Sequence, residues 1–139
     1  MNNSDTICAL ATAPGGALGI IRISGSQTLE ILSRIFTKDL TQAHPNTIHY
    51  GHIKNGSEIL DECMVSIFRA PHSYTGEDAA EISCHGSRYI LNKILELLVQ
   101  NGCRMAQCTK SQKGMDMTEC ISVRYEDGLM ATCNSLQFA

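Results

Sequence analysis

A chain of 139 residues with 43% apolar and 18% charged side chains has the make-up of an ordinary globular domain. At this length one domain buries roughly two thirds of the surface its unfolded chain exposes, enough for a core without metals or disulfides. The formal charge of -3, from 11 basic and 14 acidic side chains, disfavours nucleic-acid binding by bulk charge.

No apolar run reaches the roughly 18 residues of a membrane span, and the opening Met1-Asn2-Asn3-Ser4-Asp5 lacks the basic-then-apolar order of a secretory signal. The expectation is a cytoplasmic protein with no membrane partner. Seven cysteines, at positions 8, 63, 84, 103, 108, 120 and 133, make an odd number, and four fall in strand-like segments. They read as free buried thiols, which behave as small hydrophobes in a reducing compartment.

Thr6 to Ala11 and Leu18 to Ile23 are short apolar runs of strand type. The glycines between them suggest a phosphate loop, but such loops open a helix and need Gly-Lys-Ser/Thr. Here a strand follows and no lysine is present, so the segment reads as a glycine-assisted link between strands. Arg22 places a charge among Ile20, Ile21 and Ile23. A guanidinium is rarely buried alone, so Arg22 either snorkels to an edge or faces an anionic or carbonyl-bearing partner, as a plain salt bridge or as a functional contact.

Ser24-Gly25-Ser26 breaks the strand and offers a hydroxyl N-cap to a helix running to about Thr37, with Leu29, Leu32, Ile35 and Phe36 at helical spacing. Thr47 to Lys54 alternates as a strand with Ile48, Tyr50 and His52 on one face. Asn55-Gly56 marks a hairpin, and Glu58 to Ala70 returns, with a bulge near Asp61. His49 and His52 point to opposite faces of a strand, which argues against a shared metal ion, and no metal is expected anywhere in the chain.

Pro71 to Ser87 holds the densest chemistry. A polar loop with Tyr74, Gly76, Glu77 and Asp78 leads into a strand, Ala79 to Cys84, followed by His85 and Gly86. Gly76 suits a backbone conformation that other residues reach only with strain, and Glu77 and Asp78 read as braces of the loop. Cys84 and His85 are adjacent on an extended chain, so their side chains diverge and a thiol–imidazole catalytic pair is disfavoured. Ser87 to Gln100 is an amphipathic helix, capped by Ser87 and stopped by Asn101-Gly102, and Cys103 to Gln107 reads as a last strand. The order predicts an α+β fold, two main helices packed on a mostly antiparallel sheet.

Taken together, Asp5-Thr6-Ile7, Pro14-Gly15, Gly19 to Gly25, Tyr50-Gly51-His52-Ile53, Ser73 to Asp78, Glu81, Cys84-His85-Gly86 and Gly102-Cys103-Arg104 resemble the N-terminal domain of the bacterial tRNA modification GTPases called MnmE or TrmE. The resemblance covers about residues 5–107, which sets a domain at 1–107 and a divergent tail at 108–139. It implies a homodimer with a fold similar to one half of the folate-binding aminomethyltransferases. It also implies bound 5-formyltetrahydrofolate or a related tetrahydrofolate as one-carbon donor. An FAD-dependent enzyme and tRNA would be partners of the full protein in wobble-uridine modification. Arg22 and Glu81 match two folate contacts of the family. One carboxylate accepts both the ring N–H and the amino group of a pterin, and a guanidinium suits its carbonyl or a carboxylate.

The chain departs from the pattern in three places. The first glycine loop is one residue shorter and lacks an arginine, and Ser87 stands where a second glycine is usual. After Gln107 the expected folate-binding lysine has no secure counterpart, so the role is carried to neither Lys110 nor Lys113. The chain contains no P-loop, so it is not expected to hydrolyse GTP itself. Two further readings are a dimerisation module whose folate site has decayed and a free-standing one-carbon transferase. The second is weakened by the short chain and by the lack of an evident general acid or base beside the site.

Overall fold

The computed structural model describes residues 5–106. Six strands and two helices follow in the order β1 (Ile7–Leu10), β2 (Leu18–Ser24), α1 (Thr28–Ile35), β3 (Thr47–Asn55), β4 (Glu58–Phe68), β5 (Ala79–His85), α2 (Arg88–Gln100) and β6 (Arg104–Met105). The strands form one sheet in the order β3-β4-β5-β2-β1-β6. Every pairing is antiparallel except that of β1 with β6. This is the expected α+β arrangement, mixed by a single parallel pair.

Alternation along the strands decides which side is covered. Cys8, Ile21, Ile23, Val65, Ile67, Ala80, Ile82 and Cys84 form one buried side of the sheet, and both helices close over it in a single core. From α1 come Leu29, Ile31, Leu32 and Ile35, and from α2 come Leu91, Ile94, Leu97 and Leu98. The opposite side stays open over β3 and β4, where Ile48, Tyr50 and Met64 are exposed.

The local signals act largely as expected. The β3–β4 hairpin turns at Gly56, whose φ of +62° lies in the left-handed region. The register then shifts between Ile53 and Lys54, which face Asp61 and Ile59, so Leu60 is the extra residue of a bulge. Ser87 caps α2 by accepting a hydrogen bond from the Ile90 N–H, and Gly102 ends the helix at φ +117°.

Two expectations are corrected. No serine caps α1, because the N-cap position is Gln27 and makes no side-chain cap bond. The Ser24 hydroxyl is drawn instead to Thr75, 2.8 Å away, and the Gln27 N–H donates to the hydroxyl of Thr6, just before β1. The last strand is also shorter than Cys103 to Gln107. It hangs on β1 through hydrogen bonds from Arg104 to Thr6 and from Ala106, just beyond the strand, to Cys8, and Gln107 lies outside the described residues. The tail from 108 to 139 lies outside them too.

Cys8, Cys63, Cys84 and Cys103 are free and buried. Burial is the main cause that pushes the Cys63 and Cys84 thiols up to about 12, with negative charge at Asp61 adding to it. Cys103 is raised as well, by its hydrogen bond with Cys8 and by burial. At pH 8 a thiol of pKa about 12 is ionised in roughly one molecule in ten thousand. Iodoacetamide at that pH should therefore leave Cys63 and Cys84 unmodified in the native protein and label both after denaturation, as read by peptide mass spectrometry. Above pH 9 the unfolded chain releases these thiol protons while the folded chain keeps them up to about 12, so stability should fall as pH rises through that window.

Gly25 has φ +146°, and a Cβ there would collide with the Thr6 backbone where β1 passes the end of β2. Gly25→Ala should cost about 3 kcal/mol, measured as a lower denaturant midpoint at unchanged slope.

Candidate functional site

The centre of the open face lies on the β2–β5 ladder, which runs in one register from Leu18 opposite His85 to Ser24 opposite Ala79. That register places Arg22 directly across from Glu81. The Arg22 Nε donates to Glu81 Oε2 at 2.8 Å, and the two side chains are 19% and 23% exposed. The two residues singled out in the sequence therefore meet each other. Among the described residues the pair is left with one unused group on each side. Arg22 Nη1 is buried without a hydrogen-bond partner, and Glu81 Oε1 carries no hydrogen bond. An unpaired buried donor costs about 1–3 kcal/mol, so this position is polar beyond what the fold needs.

Residues 71–78 form a wall beside the pair. The Tyr74 ring packs edge-on against Phe68 at 5.9 Å, and the Arg22 guanidinium lies 5.8 Å from its centroid. The loop is pinned from below. The buried Thr75 hydroxyl accepts from Ser24, and Asp78 Oδ1 accepts from the Ala70 N–H at 2.9 Å and the Arg69 Nε at 3.3 Å. The Gly25 N–H donates to the Asp78 carbonyl, and Ser73 donates to the Glu77 carbonyl. Gly76 stands at φ +77°, the conformation for which a glycine is suited. Asp78 thus braces the loop, as its place in the sequence suggested.

The constellations disfavoured in the sequence are separate in space as well. Cys84 points into the core and donates weakly to the Gly19 carbonyl, while the His85 ring is exposed. His49 bonds to the Thr47 hydroxyl at 2.8 Å, whereas His52 lies 4.0 Å from Glu62.

Sequence reasoning missed Asp61. It has the same strand parity as Cys63, Val65 and Ile67, so its side chain is turned inward and is only 8% exposed. The carboxylate sits where β4 and β5 stop pairing, and both of its oxygens serve one residue. Oδ2 accepts the His85 N–H at 2.9 Å, and Oδ1 lies 2.8 Å from the His85 Nδ1. The signal was available, because a carboxylate on a core-facing row of a strand needs a partner.

No helix among the described residues is long and apolar enough to cross a membrane.

Comparison with known proteins identifies the family of the chain. The family model described as the GTP-binding protein TrmE N-terminus matches residues 6–109. The tRNA modification GTPase MnmE of Bacteroides thetaiotaomicron is 58% identical over 110 residues, covering 76% of this chain and 24% of that protein. The MnmE of Bacteroides fragilis matches at the same identity and coverage, and that of Flavobacterium johnsoniae is 51% identical over 111 residues, again 76% and 24%. The chain thus spans about a quarter of the length of these relatives. With the family match running through both helices and all six strands, the chain belongs to the TrmE N-terminus family.

Proposed function

We propose that this is the tetrahydrofolate-binding, homodimerising domain of a tRNA wobble-uridine modification GTPase. The observation that carries the reading is the Arg22–Glu81 pair, set on an open sheet face beneath Tyr74 with an unused donor beside an unused acceptor. The edge of a pterin alternates in the complementary sense, with a carbonyl oxygen next to a ring N–H and an amino group. Arg22 Nη1 suits the carbonyl, and Glu81 suits the N–H groups. The Tyr74 ring supplies a flat apolar wall for a heterocycle. The residues present therefore fit 5-formyltetrahydrofolate, which when bound supplies a one-carbon unit.

The dimer reading is supported by the exposed Ile48, Tyr50 and Met64 on the same face, a strip that a second copy would remove from water. GTP hydrolysis, the FAD-dependent partner enzyme and tRNA belong in this reading to the full-length protein, as does the one-carbon chemistry on the wobble base.

A second reading is favoured by the bond between Arg22 Nε and Glu81 Oε2, since a closed ion pair also serves a dimerisation module that has lost its ligand. Light scattering and calorimetry with 5-formyltetrahydrofolate separate the two. The expected result is a dimer that binds the folate, with affinity reduced at least tenfold by Glu81→Ala or Arg22→Ala, an amount equal to about 1.4 kcal/mol. A folded dimer that gives no heat with the folate would establish the second reading. A monomer would remove the dimer claim.

A further inference from the structure

Sulfur atoms gather on one side of the sheet at its β1–β6 edge. In the parallel register Cys8 lies directly opposite Met105, and Cys103, two residues before Met105, has the same parity. All three belong to the helix-covered core side, across the sheet from the Arg22–Glu81 pair. The Cys8 Sγ lies 3.8 Å from the Met105 Sδ, to which its thiol donates, and the Cys103 thiol is hydrogen-bonded to Cys8. Cys8 is thus the middle of a three-sulfur cluster. Nothing in the sequence spacing marks it, because Cys8 and Met105 are 97 positions apart and only the register of β1 with β6 joins them.

A core needs no such gathering, since a buried thiol packs as a small hydrophobe wherever it stands. Two thiols and a thioether are soft donors, and the choice of ion follows from that. Zinc in a structural site takes four nitrogen, sulfur or carboxylate ligands, and among the described residues no three His, Cys, Asp or Glu side chains gather to begin such a set. Calcium and magnesium take oxygen, which the cluster does not offer. Monovalent copper prefers thiolate and thioether sulfur. Three sulfurs bonded at about 2.3 Å around one ion in a plane stand about 4 Å apart, and the 3.8 Å between Cys8 and Met105 matches that spacing.

The cluster also has a way in. Cys8 and Cys103 are buried, whereas Met105 is half-buried and lines an open groove of about 520 Å³ on the flank of α2, with Asn92, Leu95 and Val99. The thioether therefore joins the groove to the thiols.

We infer that Cys8, Cys103 and Met105 form a three-coordinate site for Cu(I). The cysteines bind as thiolates and the methionine as a neutral thioether. Each thiol gives its proton to water as its sulfur–copper bond forms, and the copper keeps its single positive charge, so no oxidant or reductant takes part. The hydrogen bond to Cys8 and burial raise the Cys103 thiol, which keeps it protonated until a thiophilic ion displaces the proton. The site does not depend on the folate reading.

The test uses the full chain with Cys108, Cys120 and Cys133 replaced by Ser, so that thiols outside the described residues take no part. The probe is Cu(I), offered without oxygen in competition with the chelator bathocuproine disulfonate, with copper X-ray absorption counting the sulfur neighbours. One copper per chain with three sulfur neighbours is expected. Met105→Leu conserves volume, and it should remove one sulfur neighbour and weaken binding by roughly tenfold or more. Cys103→Ser should release the copper to the chelator, whereas Cys63→Ala, which removes a buried thiol elsewhere in the core, should leave affinity and sulfur count unchanged. The site is overturned if the parent chain yields its copper to the chelator, or holds it with two sulfurs only. An affinity and spectrum untouched by Met105→Leu, or a loss with Cys63→Ala equal to that with Cys103→Ser, overturns it too.

Discussion

The fold and the candidate site both depend on the register between β2 and β5. These strands occupy the middle of the sheet, and their pairing sets Ile21 opposite Ile82 on the core side and Arg22 opposite Glu81 on the other. A slip of one residue would turn the isoleucines outward and bury the charges, so the hydrophobic core and the polar pair specify the same alignment. The loop over Ser24 and the glycine turn before β2 secure the two ends of that ladder. At one end Thr75 receives the Ser24 hydroxyl, and at the other Gly86 bonds to Gly15 and Ala17.

The pair is poorly explained as a stabilising device alone. Its members are about one fifth exposed, and an ion pair in such a place recovers little beyond the cost of removing its charges from water. The unmet Nη1 adds to that cost. Such a residual expense is common where a protein keeps a group for a ligand, and the wall formed by Tyr74 places an aromatic surface next to it.

Much of this was legible in the sequence, and the reasons are local. Alternation in β4 and β5, the helical spacing of Leu91, Ile94 and Leu98, the Asn55-Gly56 turn and the Ser87 cap are all written within a few residues. The failures were matters of distance along the chain. Ser24 looked like part of a helix cap, but its partner Thr75 is 51 residues away. Asp61 looked like a disturbance in a hairpin, but its meaning lies in His85, 24 residues on. Arg22 and Glu81 were each visible as a charge in an apolar strand. Their union, 59 residues apart, required the order of strands in the sheet, which periodicity alone does not give. The family resemblance supplied what periodicity lacked, because several short motifs in a fixed order carry long-range information.

The parallel pairing of β6 with β1 decides what covers one edge of the sheet. Arg104 donates to the Thr6 carbonyl and Ala106 to that of Cys8, so β1 gains its second neighbour from a segment almost a hundred residues later. Without β6 the outer edge of β1 would have its backbone groups unpaired within the sheet, the exposed-edge condition that sheets avoid. Closing a loop of that size is slow compared with forming the β3–β4 hairpin. The last strand thus makes the most non-local pairing of the sheet, and it covers the edge of β1 that β2 leaves open.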